Sequence, residues 1–310
     1  MNDIRIANAP CSWGTLEFEG MQGGRISYQQ MLDELRATGY TGTELGDWEY
    51  MPTDPVALQR EMDQRDLAML GAFVPVALKF EQRHAAGVDA ALRVARLLAR
   101  VTNADGTRPL LVLADDNGSD VARAQFAGRV TPDMGLSAGE WASFARGAER
   151  VARAVRAETG LATVFHHHCA GYVETPAEIA RFLELTDPEL IGLVFDTGHY
   201  LYGSGSNDPA VVLEGLNRFG DRIGHMHFKD CEPRVASRAR EGGWGYFDAV
   251  RHGVFCELGR GNVDFAAVAA WLRDHRYAGW IVVEQDILPG MGEPRASAQR
   301  NREYLASLGL

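Results

Sequence analysis

Residues 162–199 read ATVFHHHCAGYVETPAEIARFLELTDPELIGLVFDTGH, and they contain the clearest pattern of secondary structure in the chain. The segments 162–167 and 191–196 are short and apolar and show little polar alternation, which is typical of parallel strands buried on both faces. Between them, Thr175 and Glu178 have the spacing of a capping box, and Pro176 occupies the first helical position. The stretch therefore predicts a strand, a helix and a second strand.

The same alternation of strand and helix runs along the whole chain. We predict eight strands, at residues 4–9, 42–46, 68–76, 110–114, 162–167, 191–196, 223–228 and 280–284. Eight such units in 310 residues favour an α/β fold, a (β/α)8 TIM barrel, with residues 1–310 forming a single domain. The alternative is a doubly wound open sheet. However, the first strand runs into Pro10-Cys11-Ser12-Trp13-Gly14 and not into the G-x-G-x-x-G of dinucleotide-binding folds.

Helix signals lie between these strands. After Ser137, apolar residues follow at steps of three and four, which predicts one buried stripe made of Trp141, Phe144, Ala148, Val151 and Val155. Ser137 and Glu140 form a second capping-box pattern, and two cap-then-proline starts occur at Asp54-Pro55 and Asp208-Pro209. Residues 85–100, 265–274 and 296–308 complete the predicted outer ring. Residues 234–243 are expected to form a long loop that carries function.

Composition excludes several classes of protein. The chain has 31 Lys and Arg against 42 Asp and Glu, a net charge of −11, so we expect no nucleic-acid or anionic-membrane partner. Neither a signal peptide nor an apolar run of about 20 residues is visible. The four cysteines lie far apart without a C-x-x-C pair, which favours reduced thiols and a cytoplasmic location.

Polar residues end the predicted strands. Six of the nine histidines fall there, and the carboxylates beside them include Asp196 and Glu284. In a barrel these carboxyl ends converge on one face, where such enzymes keep their active sites. The pattern therefore predicts an enzyme, although any one of these residues alone would be an ordinary helix cap or a histidine bonded to a backbone carbonyl.

Imidazole nitrogen with carboxylate oxygen, without thiolate, suits Mn²⁺, Mg²⁺, Co²⁺ or Zn²⁺ in a site open to substrate. Asp196, His227 and Glu284 come from three consecutive predicted strands, so their side chains can meet at one ion. His225 and His227 point to the same side of their strand because strand side chains alternate.

Six motifs together resemble the myo-inosose-2 dehydratase family, which belongs to the xylose-isomerase-like sugar isomerases and epimerases. These motifs are Asn8-Ala9-Pro10-Cys11-Ser12-Trp13-Gly14, Phe165-His166-His167-His168, Asp196-Thr197-Gly198-His199, His225-Met226-His227-Phe228-Lys229-Asp230, Glu257-Leu258-Gly259-Arg260-Gly261 and Val283-Glu284-Gln285-Asp286. They span the chain from the first strand to the last. The resemblance implies a TIM barrel with one divalent ion, commonly Mn²⁺ or Co²⁺, that acts on a polyhydroxylated ketone. It also implies a dimer or a tetramer.

Residue by residue, the resemblance implies that Asp196, His227 and Glu284 are metal ligands and that His199 orients the substrate. The related ketose epimerases end strand five in a metal-binding glutamate, and here His166 stands in that place. Either this histidine replaces the glutamate, or Glu174 reaches in from the following loop. The departure weakens the case for a symmetrical two-glutamate epimerisation.

The hypothesis is a dehydratase that removes a proton beside a ketone and then expels the β-hydroxyl as water. The candidate acids and bases are His166, His168, His199 and Glu284, because histidine titrates near neutral pH. The candidates for substrate binding are Trp13, Glu44, Lys229 and Arg260, and residues 11–17, 115–118 and 234–253 are expected to set substrate choice. The alternatives are a ketose epimerase or isomerase, elimination on a 3-keto-glycoside, and a sugar-binding protein without activity.

Overall fold

The seven-stranded parallel sheet of this protein curls into a barrel. The structure is a computed structural model, and it describes residues 4–14, 26–288 and 290–310. The strands are β1 (Ile4–Asn8), β2 (Gly42–Thr43), β3 (Ala68–Met69), β4 (Gly71–Val76), β5 (Leu110–Asp115), β6 (Thr163–His166), β7 (Ile191–Asp196), β8 (Ile223–Phe228), β9 (Asp230–Cys231), β10 (Phe255–Cys256) and β11 (Gly279–Val283). In the main sheet they are ordered β1-β11-β8-β7-β6-β5-β4.

The short strand β2 closes the barrel between β1 and the β3–β4 pair. The backbone N–H of Thr41 donates to the Ile6 carbonyl at 3.1 Å, and the Thr43 hydroxyl donates to the Asn8 carbonyl at 2.9 Å. On its other side, β2 pairs in parallel with β3, and the Leu45 N–H donates to the Gly71 carbonyl at 2.9 Å. The predicted strand 68–76 corresponds to β3 and β4 together. The eight predicted barrel positions are therefore confirmed, and the open doubly wound sheet is not formed.

The strands bury both faces, as their apolar sequences predict. One set of residues packs inside the barrel, where Val112, Val164 and Val194 contact Phe73. The residues that alternate with them, such as Phe165 and Leu193, join the large core beneath the helices. Because side chains alternate along a strand, the residues that end a strand on the inner face reach the mouth of the barrel.

The helices are α1 (Tyr28–Ala37), α2 (Pro55–Asp63), α3 (His84–Leu98), α4 (Val121–Gln125), α5 (Ala138–Thr159), α6 (Pro176–Leu185), α7 (Thr197–Gly203), α8 (Ala210–Phe219), α9 (Pro233–Gly242), α10 (Tyr246–Arg251), α11 (Phe265–Asp274) and α12 (Pro294–Ser307). Both predicted capping boxes are present, at Ser137 with Glu140 and at Thr175 with Glu178. The Asp54 carboxylate caps α2 as predicted, by accepting from the Ala57 N–H at 2.8 Å. In the described part of the chain, no helix is both long enough and apolar enough to cross a bilayer.

Two sequence predictions need correction. Residues 234–243 are not a loop, because nearly all of them lie in α9. Glu232 accepts from the Val235 N–H at its start, Pro233 takes the first helical position, and Gly243 ends it in the left-handed conformation at φ 67°. At Asp208-Pro209, the helix begins one residue later than predicted, and Asp208 accepts from the Ala210 N–H. Of the predicted substrate loop 11–17, the structure describes the residues up to Gly14, and residues 15–17 lie outside the described part of the chain.

Candidate active site at the carboxyl end of the barrel

The mouth of the barrel holds a cavity of about 270 Å³. Its walls come from the ends of several strands and the loops that follow them, and they include His166, His168, Lys229, Tyr246, Glu284 and Asp286. Phe73 lies on one side and contacts the ring of His166 edge to face, with centroids 5.8 Å apart. The cavity is large enough for a small polyol and lies where barrel enzymes place their chemistry.

Four side chains converge beside this cavity. His166 ends β6, Asp196 ends β7, His227 lies on β8, and Glu284 follows β11. Each offers one ligand atom, and these atoms all lie within 4.8 Å of one another. Asp196 and His227 are direct neighbours in the parallel register of β7 and β8. Adjacent strands of the barrel therefore bring together the three ligands expected from the sequence, and of the two alternatives for the remaining place, His166 is the residue that lies beside them.

The cluster fits a divalent cation. Asp196 is fully buried, and its Oδ1 caps α7 by accepting from the His199 N–H at 2.8 Å. Its Oδ2 makes no hydrogen bond within the described chain, and neither does Nδ1 of His227, which lies 3.2 Å from Glu284 Oε1. Buried polar atoms without hydrogen bonds are rare and call for an explanation such as a bound ion. Two imidazoles and two carboxylates are a donor set that suits Mn²⁺, Co²⁺ or Zn²⁺.

Glu44 fixes the orientation of His227 from below the cluster. Its Oε1 accepts from His225 Nε2 at 3.0 Å and from His227 Nε2 at 3.1 Å. Burial alone would raise the pKa of Glu44, but the charges of His227 and His225 and their hydrogen bonds lower it to about 2. With Nε2 donating to this carboxylate, the Nδ1 lone pair of a neutral His227 faces the cluster. Carboxylates commonly orient metal-binding histidines in this way.

Lys229 is the buried cation of the site. Its Nζ lies 3.1 Å from Glu284 Oε2, 3.2 Å from Asp286 Oδ1 and 3.3 Å from His199 Nε2. Burial would lower the pKa of Lys229, but Asp286 and Glu284 hold it well above its usual range.

The carboxylates of the site outnumber this ammonium. They are Glu44, Asp196, Glu284 and Asp286. Because uncompensated charge is costly in a buried site, a divalent cation would balance most of the excess.

The three consecutive histidines at the end of β6 and just after it have three different surroundings. His166 faces the cluster, and His167 faces the helices, where its ring contacts Tyr200 and its Nε2 accepts from the Asp196 N–H at 3.2 Å. His168 borders the cavity, and its Nδ1 lies 2.5 Å from the Cys169 carbonyl oxygen. Since a carbonyl can only accept, Nδ1 carries the proton and Nε2 of neutral His168 is an acceptor. Burial lowers the pKa of His168 to about 3, with a contribution from His166.

His199 lies behind His168, with ring centroids 3.9 Å apart, and is fully buried. It does not line the cavity itself, so it acts on the site through His168 and Lys229.

Three residues predicted for the site lie elsewhere. The Glu174 carboxylate accepts from the N–H groups of Gly128 at 2.7 Å and Ala170 at 2.8 Å, so it holds loops together and does not reach the cluster. Arg260 is exposed over 67% of its side chain and pairs with Glu257. Trp13 is buried, and its indole N–H donates to Glu34 at 2.8 Å. Glu44 does border the cavity, but its carboxylate is engaged by the two histidines.

Sequence reasoning missed several of the residues that line the cavity, including Tyr246 and Asp47. Tyr246 begins α10, and Asp47 follows β2. The sequence gives little indication of Tyr246, because this residue lies in the predicted functional segment 234–253 but belongs to no motif. Asp47 lies three residues after Glu44, which the sequence predicts as a substrate-binding residue. The cysteines are free thiols, as expected, and only Cys11 borders the cavity.

Known proteins share this architecture over nearly the full chain. Residues 32–308 match the model of the xylose isomerase-like TIM barrel family. An inosose dehydratase of Geobacillus kaustophilus (strain HTA426) is 32% identical over 99% of this chain and 96% of its own. An inosose dehydratase of Klebsiella pneumoniae (strain 342) is 30% identical over 98% of this chain and 97% of its own.

Solved structures are similar in fold at lower identity. A 3-keto-D-glucoside 4-epimerase from E. coli superimposes with a TM-score of 0.65 at 18% identity and covers 99% of both chains. A D-allulose 3-epimerase from Methylomonas sp. gives a TM-score of 0.65 at 15% identity, again over 99% of both chains. With its barrel, its inward-facing cluster and these relatives, the chain belongs to the xylose isomerase-like TIM barrel family, and its curated relatives at about 30% identity are inosose dehydratases.

Proposed function

We propose that this protein is a divalent-metal-dependent dehydratase that acts on a keto-polyol such as 2-keto-myo-inositol. The observation that carries the proposal is the cluster of His166, Asp196, His227 and Glu284 beside the cavity at the barrel mouth. Near-full-length similarity to inosose dehydratases supports the substrate class. The cytoplasmic location and the dimer or tetramer expected from the sequence stay predictions.

Asp196, His227, Glu284 and His166 would hold the ion, for which Mn²⁺ and Co²⁺ are the first candidates and Mg²⁺ or Zn²⁺ the next. When bound, it supplies Lewis acidity that polarises the substrate carbonyl and stabilises negative charge on its oxygen. Lys229 adds a second positive charge beside Glu284 and Asp286. These groups favour loss of a proton from the carbon next to the carbonyl.

The acceptor for that proton is His168 in this proposal. Its Nε2 is the unprotonated nitrogen of a ring whose Nδ1 is held by the Cys169 carbonyl. The lowered pKa keeps the ring neutral, so the electron pair of Nε2 is not protonated before the substrate binds. General acid–base help of this kind contributes roughly 10²–10⁴-fold in rate.

The cluster favours dehydration over epimerisation through paired glutamates. The place at the end of β6 is occupied by His166, and the nearby Glu174 is bound to backbone amides. Glu284 therefore has no glutamate partner in the cluster, which contains Asp196 as its only other carboxylate. A ketose epimerase or isomerase, and elimination on a 3-keto-glycoside, are the outcomes that the experiment must separate from dehydration.

Metal removal tests the proposal directly. Protein stripped with a chelator should lose its activity on 2-keto-myo-inositol and regain it with Mn²⁺ or Co²⁺, because the ion supplies the Lewis acidity that polarises the carbonyl. Loss of water should appear as a new enol absorbance, whereas an epimerase would exchange one carbon-bound hydrogen with solvent without losing water. Full activity in excess chelator, or an Asp196→Ala variant as active as the wild type, would refute the metal-dependent mechanism.

A further inference from the structure

Dehydration needs a proton donor for the departing hydroxyl as well as a base, and the four-residue cluster does not supply one. Hydroxide is a poor leaving group, so the β-hydroxyl must be protonated as its bond to carbon breaks and it then leaves as water. Lys229 is engaged by Glu284, Asp286 and His199. The Nδ1 proton of His168 is directed at the Cys169 carbonyl. The donor must therefore come from another wall of the cavity.

Tyr246 lines another side of this cavity. It is the first residue of α10, it is 1% exposed, and it borders the same cavity as His168, Lys229 and Asp286. Its hydroxyl oxygen lies 3.4 Å from His168 Nε2. Because Nε2 is the acceptor of that ring, the Tyr246 hydroxyl is the donor of this hydrogen bond.

The position of this tyrosine is well supported by its neighbours. Its ring packs against His168 with centroids 5.4 Å apart and lies nearly parallel to His199 at 6.2 Å. The next residue, Phe247, lies against Gly118 in the loop after β5, where an added Cβ would be 2.9 Å from its ring. Burial raises the pKa of Tyr246 well above its usual value, and Asp286 raises it further, so the phenol keeps its proton at neutral pH.

We propose that Tyr246 is a catalytic residue that donates its phenolic proton to the hydroxyl leaving the substrate, an inference that rests on the proposed dehydratase function. The donor and the His168 acceptor are 3.4 Å apart, which suits substituents on two neighbouring carbons of one substrate.

The step balances without an added reagent. His168 Nε2 takes the proton from the carbon next to the carbonyl, and the electron pair of that C–H bond moves toward the carbonyl oxygen to give an enolate. The enolate then re-forms the carbonyl as its electron pair makes the new double bond, and the C–O bond breaks with its electron pair on oxygen, which takes the Tyr246 proton and leaves as water. The phenolate then regains a proton from His168 Nε2, which returns both side chains to their starting states.

Replacement of Tyr246 with phenylalanine separates the two halves of this reaction. In Mn²⁺-loaded full-length Tyr246→Phe protein, kcat for loss of water from 2-keto-myo-inositol should fall by about 10²–10⁴-fold. Exchange of the adjacent carbon-bound hydrogen with D₂O should stay within about tenfold of the wild-type rate of proton removal, because the base and the metal ligands are intact. Mn²⁺ affinity measured by calorimetry should not change.

An analogue with fluorine in place of the departing hydroxyl provides a rescue. Fluoride leaves without protonation, so Tyr246→Phe should eliminate it within about tenfold of the wild-type rate. Tyr202→Phe is the matched control, since Tyr202 is also buried, lies outside the cavity lining, and has a hydroxyl without a hydrogen-bond partner in the described chain. That variant should dehydrate like the wild type.

Equal losses of dehydration and of hydrogen exchange in Tyr246→Phe, without rescue by the fluoro analogue, would show a structural role and overturn the proposal. Unchanged dehydration would overturn it as well. If the wild type itself neither dehydrates nor exchanges hydrogen in a keto-polyol, the proposed function fails, and this outcome is distinct from a failure confined to the variant.

Discussion

The two nitrogens of His227 have different neighbours, and that difference sets what the ring can bind. Nε2 donates to Glu44, while Nδ1 faces Asp196 and Glu284. The same alternation along β8 directs His225 toward Glu44 as well. A single buried carboxylate just after β2 therefore orients two histidines, although only one of them belongs to the four-residue cluster.

Glu44→Gln should weaken Mn²⁺ binding by about 10–100-fold, because an amide cannot supply the negative charge that orients His227 and raises its basicity. Calorimetric titration of the metal-free protein measures this change. Activity should recover at high Mn²⁺ concentration, since no ligand of the cluster is removed. Glu61→Gln is the control, because this largely buried glutamate of α2 pairs with Arg65 and lies away from the cavity. Equal Mn²⁺ affinity in Glu44→Gln and the wild type would contradict the positioning role of Glu44.

At the scale of elements, Asp230 holds the segment after β10 against the end of β8. Its Oδ2 accepts from the N–H groups of Gly259 at 2.8 Å and Gly261 at 2.9 Å, and its Oδ1 accepts from Val263 at 3.0 Å. The H-x-H-x-K-D and E-L-G-R-G motifs are thus two parts of one contact. The glycine-rich motif therefore has a structural role, although Arg260 is exposed and points away from the site.

Gly261→Ala should destabilise the protein by about 1–3 kcal/mol, the usual range for overpacking. A Cβ there would collide with Asp230 Oδ1 and lie 2.5 Å from the Cys231 carbonyl oxygen. Urea unfolding measures the loss. Gly139→Ala is the control, because a Cβ at this exposed helical position meets nothing within 4 Å and should be neutral or stabilising by up to about 1 kcal/mol. Similar stability of the two variants would refute the proposed tight contact.

At the scale of the whole molecule, buried groups make opposite contributions to the pH dependence of stability. Burial raises the pKa of Glu174 to about 7 despite hydrogen bonds from Gly128 and Ala170, so the native state binds this proton more tightly than the unfolded chain does. Burial lowers the pKa of His167 to about 3, so the native state binds that proton less tightly. As the pH rises, Glu174 therefore lowers the free energy of unfolding, and His167 raises it over an overlapping pH range.

Glu174→Gln isolates one of these contributions. The tighter proton binding of the native Glu174 carboxyl stabilises the fold fully below the unfolded pKa of 4.5, and this stabilisation is lost as the pH rises to about 7. The free energy of unfolding of the wild type relative to the variant should therefore fall between pH 4.5 and 7, by on the order of 3 kcal/mol at most, and level off above. Denaturant unfolding at several pH values measures it. A difference that is constant from pH 4.5 to 8 would contradict the raised pKa, whereas a pH-independent offset reflects only the changed hydrogen bonds.

Most of the fold could be predicted because its signals are local. Capping at Ser137 and Thr175, and the apolar runs of the strands, depend on residues a few positions apart. The segment 234–243 was mispredicted because its Gly, Arg and Glu content suggested a loop, while Pro233 and the Glu232 cap start a helix whose buried face is only Ala236 and Ala239. Such a narrow apolar face gives little periodic signal.

The order of strands and helices, and the polar residues that end the strands, can be read from the chain, because they depend on its periodicity and on the convergence of parallel strands. Which of those residues meet depends on the folded barrel. Register and closure brought His166 to the cluster, left Glu174 on backbone amides, placed Glu44 beneath two histidines and set Tyr246 beside His168. Contacts between residues up to 183 positions apart depend on how the barrel closes, and neighbouring residues in the chain carry no record of that geometry.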